Sequence, residues 1–419
     1  MELTTIVNAL KSGDDRIFLS TPIFLGIVTI PGMLQWKLLM MPCNKVSTQT
    51  KQIVSLPLLF IQLLIPIILA GGHRALTIIA GLFLFNTVLR CSEALYITPW
   101  IKKGTEAYID PDKIHQDLWS CLHRPIMPKK NKNEKLPQQR PWYHLIPYLL
   151  IGMLFTDFMA SWFSTFSGQD VFDIQKERSG LFFIFFVIAV VLLTTAINTI
   201  GYILQLIYTF TYGGGSYDPN EWRPLMNYPI IATSCNDIWN HRWHQLFRSI
   251  WIAVPFRPVL LLLGKMNDAN NIDEKTQEQK NKKTSSTRSS TLHVAMATLS
   301  VFFVSGLMHE YLVLCGAGIQ VYWNTFIGQE CLFFTLHGCA VCLERFVQPY
   351  LKVKEGFVAE ALKRIWVIWF SFRVFPLFLN GFAFWELWNA NPFNAFTPYF
   401  LDHVWRKYPI LREFCGSYL

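Results

Sequence analysis

Charge is scarce in this chain. Only 16% of its 419 residues are Asp, Glu, Lys or Arg, against 52% hydrophobic, where soluble domains carry about a quarter charged residues. The composition is that of a membrane protein. The formal charge of +9 does not point to nucleic acid. The basic residues fall in loops between apolar runs, where they set topology and meet headgroups or phosphates. Asn-x-Ser/Thr sequons are absent, so glycosylation marks no side of the membrane. The nine cysteines are odd in number and scattered, with Cys91, Cys315, Cys331, Cys339 and Cys342 inside apolar runs. That excludes a disulfide framework. Cys339 and Cys342 form a C-x-x-C without a βαβ context and read as small apolar fillers. No internal repeat supports an inverted-repeat transporter. The N-terminus lacks a basic n-region and a cleavage site, so its first apolar run is expected to be a retained span.

Long apolar runs are what the chain has in quantity. Spans are predicted at about 17–36, 53–70, 75–97, 143–163, 180–210, 292–319, 322–346 and 365–383. That makes an all-α polytopic membrane protein with about eight transmembrane helices, within a range of seven to ten. Pro22 and Pro31 are expected kinks in the first span. The 180–210 run is long enough to require tilt, projection or a break, with Gly201 the candidate break. Residues 250–263 are apolar but short and carry Pro255, Arg257 and Pro258, which predicts a re-entrant or in-plane segment. Three segments follow: a three-span stretch at 1–97, a basic loop at 98–142, and a core at 143–419. Within the core, 264–290 is polar and expected to be disordered. The loops at 37–52, 98–142, 211–290 and 347–364 are all basic, which places them in the cytosol. The aromatic tail after 383 is expected at the interface.

Two constellations stand out. The first is Trp239-Asn240-His241-Arg242-Trp243-His244-Gln245-Leu246-Phe247-Arg248. It reads either as an interfacial belt with Trp at headgroup depth or as a polar site at a membrane mouth. His241 and His244 would be i, i+3 on a helix, but no H-E-x-x-H occurs and no metal site is expected. The second is Ser305-Gly306-Leu307-Met308-His309-Glu310 within the 292–319 run. Two ionisable groups inside a span are costly and mark function by default. Ser305 and Gly306 sit one turn before His309 and Glu310 on shared faces. Small residues there let a neighbouring helix or a substrate chain approach closely.

Together these motifs resemble the wax synthase-like branch of the membrane-bound O-acyltransferase superfamily. Trp239 with Arg242-Trp243-His244-Gln245 and Arg248 is similar to that branch's R-W-H-Q region. Ser305-Gly306 followed by His309-Glu310 matches its S-G-x-x-H-E. Close resemblance covers about 222–344. Asn240 stands where the branch usually has Gly or Ser, and Ile238 replaces a Phe. The resemblance implies a helical bundle around a central tunnel, and acyl transfer from an acyl-CoA to an alcohol with no bound cofactor. His309 would be the general base, with Asn240, His244 or Gln245 donating to the oxyanion. Glu310 would orient the ring or act elsewhere. Arg242 and Arg248 would meet the CoA phosphates, while Trp239, Trp243, Ser305 and Gly306 would line the substrates. The expected partners are acyl-CoA, a hydrophobic alcohol and the lipid bilayer, in the endoplasmic reticulum. No motif specifies an oligomeric state. A long-chain alcohol ranks first as acceptor and acetylation of a terpenoid hydroxyl second. A proton-coupled transporter using His309 and Glu310 is the alternative from another class.

Overall fold

A computed structural model of the chain describes residues 16–72, 74–110, 119, 122–123, 139–264, 282–347, 350, 356–390 and 393–419. Among these, seven helices are long and apolar enough to cross a membrane: Thr21–Met40, Thr48–Ile68, Ala75–Ile101, Trp142–Phe163, Ser179–Thr211, Thr291–Ala317 and Phe357–Phe384. A pair bent by 47°, Ile319–Phe326 with Gln329–Val347, makes an eighth. The described residues pair as strands only in two-residue pieces. The protein is therefore all-α, with spans where the apolar runs lie. The expected loop at 98–142 falls mostly outside the described residues. So does 265–281 of the segment expected to be disordered, while 282–290 form the first turns of the Lys282–Ala317 helix.

The chain forms two compact units. One holds Met1–Ile114 and Arg248–Tyr350, the other His115–Phe247 and Leu351–Leu419.

In the first unit, Pro22 falls in the opening turn of the Thr21–Met40 helix. A missing N–H costs nothing there, so Pro22 starts the helix and does not kink it. Ser47 caps the next helix, its hydroxyl accepting the Thr50 N–H at 3.2 Å. Lys51 belongs to this helix and not to the basic loop expected around it. It is fully buried, and its Nζ donates to the Ala107 carbonyl at 2.7 Å. Residues 248–264 are helical throughout, with a π-turn at Ile252–Phe256. Pro255 lies in that turn and supplies no N–H to an α ladder. The bent pair turns at Gly328, whose φ of 82° suits a residue without a β-carbon.

The Lys282–Ala317 helix is braced on several sides. A β-carbon on Gly81 would lie 3.1 Å from the Cys315 sulfur, and one on Gly338 would lie 2.9 Å from the Phe302 side chain. These are close helix approaches, of the kind small residues permit. Tyr311 donates to the Leu63 carbonyl at 2.9 Å. Arg16 is buried and donates to the Cys315 and Gly316 carbonyls. Those are end-of-helix carbonyls with no partner inside the helix.

In the second unit, Ser179–Thr211 is a single helix of about 50 Å at 1.5 Å per residue. Gly201 does not break it. A β-carbon there would sit in ordinary contact with Leu225 at 3.4 Å. Thr194, Thr195, Thr199, Thr209 and Thr211 return their hydroxyls to carbonyls four residues back, which satisfies them without a partner helix. The polar link before this helix is itself a helix, Gly168–Glu177, opened by a capping box between Ser167 and Asp170.

The tail is hydrogen-bonded into this unit at several points. Trp162 Nε1 donates to the Phe414 carbonyl at 3.0 Å, and Trp405 Nε1 to Ser161 Oγ at 2.8 Å. Asp157 accepts from the Phe396 N–H and the Thr397 hydroxyl. Asp170 also accepts from the Ser417 N–H and hydroxyl at 2.9 and 2.7 Å.

Candidate active site

His309 and Glu310 lie in the first unit, and 239–247 lie in the second.

The His309 ring is held from two sides. Its Nδ1 bonds the Ser305 carbonyl at 2.8 Å. A carbonyl only accepts, so Nδ1 carries the proton and Nε2 the lone pair. The Phe334 ring lies against it, with centroids 4.3 Å apart. The backbone of Ser305 does this work, one helical turn below. Its hydroxyl takes no part in the bond.

Glu310 points elsewhere. It is buried and accepts the Tyr322 hydroxyl at 2.6 Å and the Cys331 N–H at 3.0 Å. Both donors belong to the bent pair, one on each side of its break. Glu310 therefore clamps that break to the His309 helix and contributes no bond to the imidazole ring. Gly306 serves the same contact. A β-carbon on it would fall 2.8 Å from the Cys331 Cα, so a neighbouring backbone fills the space that a substrate chain would need.

Two residues here were not singled out from sequence. Glu330 and His337 are both 2% exposed. His337 repeats the geometry of His309: its Nδ1 bonds the Phe333 carbonyl at 3.0 Å. Glu330, Phe334 and His337 are spaced i, i+4, i+7 and share one face of the Gln329–Val347 helix. That spacing was the available signal, masked by the apolar residues around it.

The motif in the second unit is a self-braced turn. Ser234 caps Cys235–Asp237, and the chain continues as a π-turn over Ile238–Arg242. The helical segment ends there. His241 and His244 thus do not form the i, i+3 pair that a continuous helix would give. Arg242 Nε pairs with Asp237 at 2.6 Å, and its Nη1 donates to the Asn227 carbonyl at 3.2 Å. Gln245 donates to the Trp243 carbonyl at 2.7 Å. Trp239 and Trp243 meet at a tilt of 49° with centroids 5.4 Å apart and pack on Ala232, Ile238 and Val367. Asn240 is exposed and donates to Asn236 at 2.7 Å. The His244 ring meets Phe247 edge-on at 5.9 Å. Arg242 and Gln245, expected to face substrate, are thus engaged in holding the turn. Arg248 opens the 248–264 helix in the first unit and is exposed.

Residues 222–336 match the family model described as "Membrane bound O-acyl transferase family". The match bears out the resemblance of the chain to the wax synthase-like branch of the membrane-bound O-acyltransferases. The matched stretch contains both motifs of this acyltransferase, and Glu330 with them. The chain is 22% identical over 335 residues to the probable long-chain-alcohol O-fatty-acyltransferase 6 of Arabidopsis thaliana, covering 78% of this chain and 79% of that protein. The probable long-chain-alcohol O-fatty-acyltransferase 1 of the same plant is 23% identical over 152 residues, 35% of this chain and 37% of that protein. The chain is thus a multi-pass O-acyltransferase.

Proposed function

We propose that this O-acyltransferase forms an ester from an acyl-CoA thioester and a long-chain or similarly hydrophobic alcohol, with His309 as general base. The observation that carries the reading is the Nδ1 bond of His309 to the Ser305 carbonyl. It fixes the tautomer in which Nε2 can accept a proton. Nε2 takes the hydroxyl proton as the alcohol oxygen attacks the thioester carbonyl, then returns it to the departing CoA thiolate. Such base catalysis contributes ~10²–10⁴-fold. The apolar span around it favours alcohol over water as nucleophile. Arg248, exposed at the start of its helix, and Arg242 are the proposed contacts for the CoA phosphates. Asn240 and His244 are the proposed polar contacts of the second motif. We assign the basic loops to the cytosol and the protein to the endoplasmic reticulum, where acyl-CoA and hydrophobic alcohols meet.

The test is product analysis. Membranes containing the protein are given labelled palmitoyl-CoA or acetyl-CoA with a panel of alcohols, and esters are measured by mass spectrometry. Palmitoyl esters of long-chain alcohols, lost in His309→Ala while expression persists, are expected. Acetyl esters of polycyclic alcohols alone would move the acceptor to the terpenoid class, and unchanged turnover in His309→Ala would reject the base.

A further inference from the structure

Glu330 has no role in the mechanism above, yet its placement is costly. It is 2% exposed, and neither carboxyl oxygen has a hydrogen-bond partner among the described residues. The Thr325 hydroxyl nearby in the chain is likewise buried without a partner. Unsatisfied buried polar groups in native proteins concentrate where function requires them.

The surroundings narrow what Glu330 can do. The Cys331 N–H belongs to the peptide that Glu330 itself begins, and it donates to Glu310 at 3.0 Å. The Glu310 carboxyl therefore lies against the backbone that Glu330 begins, inside an apolar span. Glu310 receives both that N–H and the Tyr322 hydroxyl, so the negative charge is stabilised on Glu310. An anion on Glu330 would be buried with no donor among the described residues, and a carboxyl so placed keeps its proton. Glu330 is then a carboxylic acid with an O–H to give. Four residues on, one turn along the same helix face, Phe334 lies against the His309 ring. Glu330 and the ring on which the base packs thus sit about one turn (~5 Å) apart along one helix.

We propose that Glu330, as a neutral acid, donates a hydrogen bond to the thioester carbonyl oxygen as it becomes an oxyanion. This rests on the ester-forming reading above. The alcohol oxygen bonds to the thioester carbon while its proton passes to His309 Nε2. The carbonyl π pair moves onto oxygen, where the Glu330 O–H meets it without transferring its proton. The carbonyl reforms, the carbon–sulfur bond breaks, and the thiolate takes the proton from His309. Glu330 ends as it began.

The experiment compares Glu330→Met with Glu330→Gln, purified in detergent, using palmitoyl-CoA and the alcohol the wild type esterifies. Met keeps the length and removes the donor, and Gln restores a donor. The expected result is a loss of ~10²-fold in kcat for Met, the usual effect of deleting one oxyanion donor. The acyl-CoA KM should hold within about threefold, and Gln should recover most of the turnover. The Met variant should also melt no lower than wild type, because an orphaned buried carboxyl is gone. A purely structural Glu330 would give the reverse, a lower melting temperature with kcat following the amount of folded protein. Full turnover in Glu330→Met, or Glu330→Gln falling as far as Met, overturns the proposal. A wild type that forms no ester rejects the parent reading instead.

Discussion

Gly306 offers the sharpest test of how the site is held. In Gly306→Ala the new β-carbon would lie 2.8 Å from the Cys331 Cα and 3.4 Å from the Glu330 carbonyl. Carbon atoms rest ~3.5–4.0 Å apart, so the backbones must separate by roughly 1 Å. The obstructing atom is backbone and cannot rotate away. Overpacking of this kind costs about 1–3 kcal/mol. The same displacement acts on chemistry. It lengthens the 3.0 Å bond from the Cys331 N–H to Glu310 and draws the Phe334 helix away from His309. A misplacement of about 1 Å at a reacting group can cost ~10²-fold in rate. Gly306→Ala should therefore lower the melting temperature by a few degrees and turnover by ~10–100-fold. Ser305→Ala supplies the contrast. The His309 bond uses the Ser305 carbonyl, so that variant should stay within about threefold of wild type. Turnover by purified protein and thermal melting in the same detergent read both. Wild-type behaviour of Gly306→Ala would refute the close-contact argument, and loss of activity in Ser305→Ala would refute the backbone-held tautomer.

Three further outcomes are expected. Tyr322→Phe removes a donor to a buried carboxylate and should cost about 1.5–3 kcal/mol, read as a lower melting temperature with the acyl-CoA KM unchanged. An unchanged melting temperature would mean the clamp bears no load. Gly416→Ala would put a β-carbon 2.5 Å from the Phe166 Cα and the Thr165 carbonyl, so the tail should detach and become open to carboxypeptidase, where wild type resists. For Asp170, burial raises the carboxyl pKa, but hydrogen bonds from Ser417 and Ser167 outweigh it and hold the group below its ordinary range. The unfolded chain then binds the proton more tightly, so the stabilisation is full above about pH 4. It fades as pH falls through the lowered folded value. The gap in melting temperature between wild type and Asp170→Asn should narrow with acid, and a gap independent of pH would refute the linkage.

Much of the architecture was legible because apolar runs report spans directly. The eight expected runs coincide with seven long helices and the bent pair. Where reading by composition failed, burial was being supplied by partners distant in sequence. Lys51 looked like a loop lysine because its acceptor, the Ala107 carbonyl, lies 56 residues away. Gly201 looked like a hinge, but the apolar run on both sides carries the helix through it unbroken. The pairing of Arg242 with Asp237 is local but depends on a π-turn, and local pattern does not announce π-turns. The two catalytic candidates that a motif exposes, His309 and Glu310, were evident. Glu330 was hidden because one acidic residue at the start of a helix looks like an ordinary response to the helix dipole.

Adjacent residues on a helix point about 100° apart, and the His–Glu pair uses that angle to divide its work. His309 faces Phe334, while Glu310 faces Tyr322 and the Cys331 amide. The division predicts how substitutions at Glu310 should rank. A glutamine there offers one carbonyl and one amide. The carbonyl can keep the Cys331 N–H, and the Tyr322 hydroxyl can rotate to accept from the amide, so both contacts survive without the charge. An alanine leaves both donors unmet. If Glu310 acts as a clamp, Glu310→Gln should retain turnover within about tenfold, and Glu310→Ala should lose most turnover and melt lower by the ~1–3 kcal/mol of each buried donor left unpaired. If its negative charge instead acted on the imidazolium during the reaction, Gln and Ala would fall together, because both remove that charge. Equal losses of kcat in the two variants, with both still folded, would therefore overturn the division and return Glu310 to the chemistry.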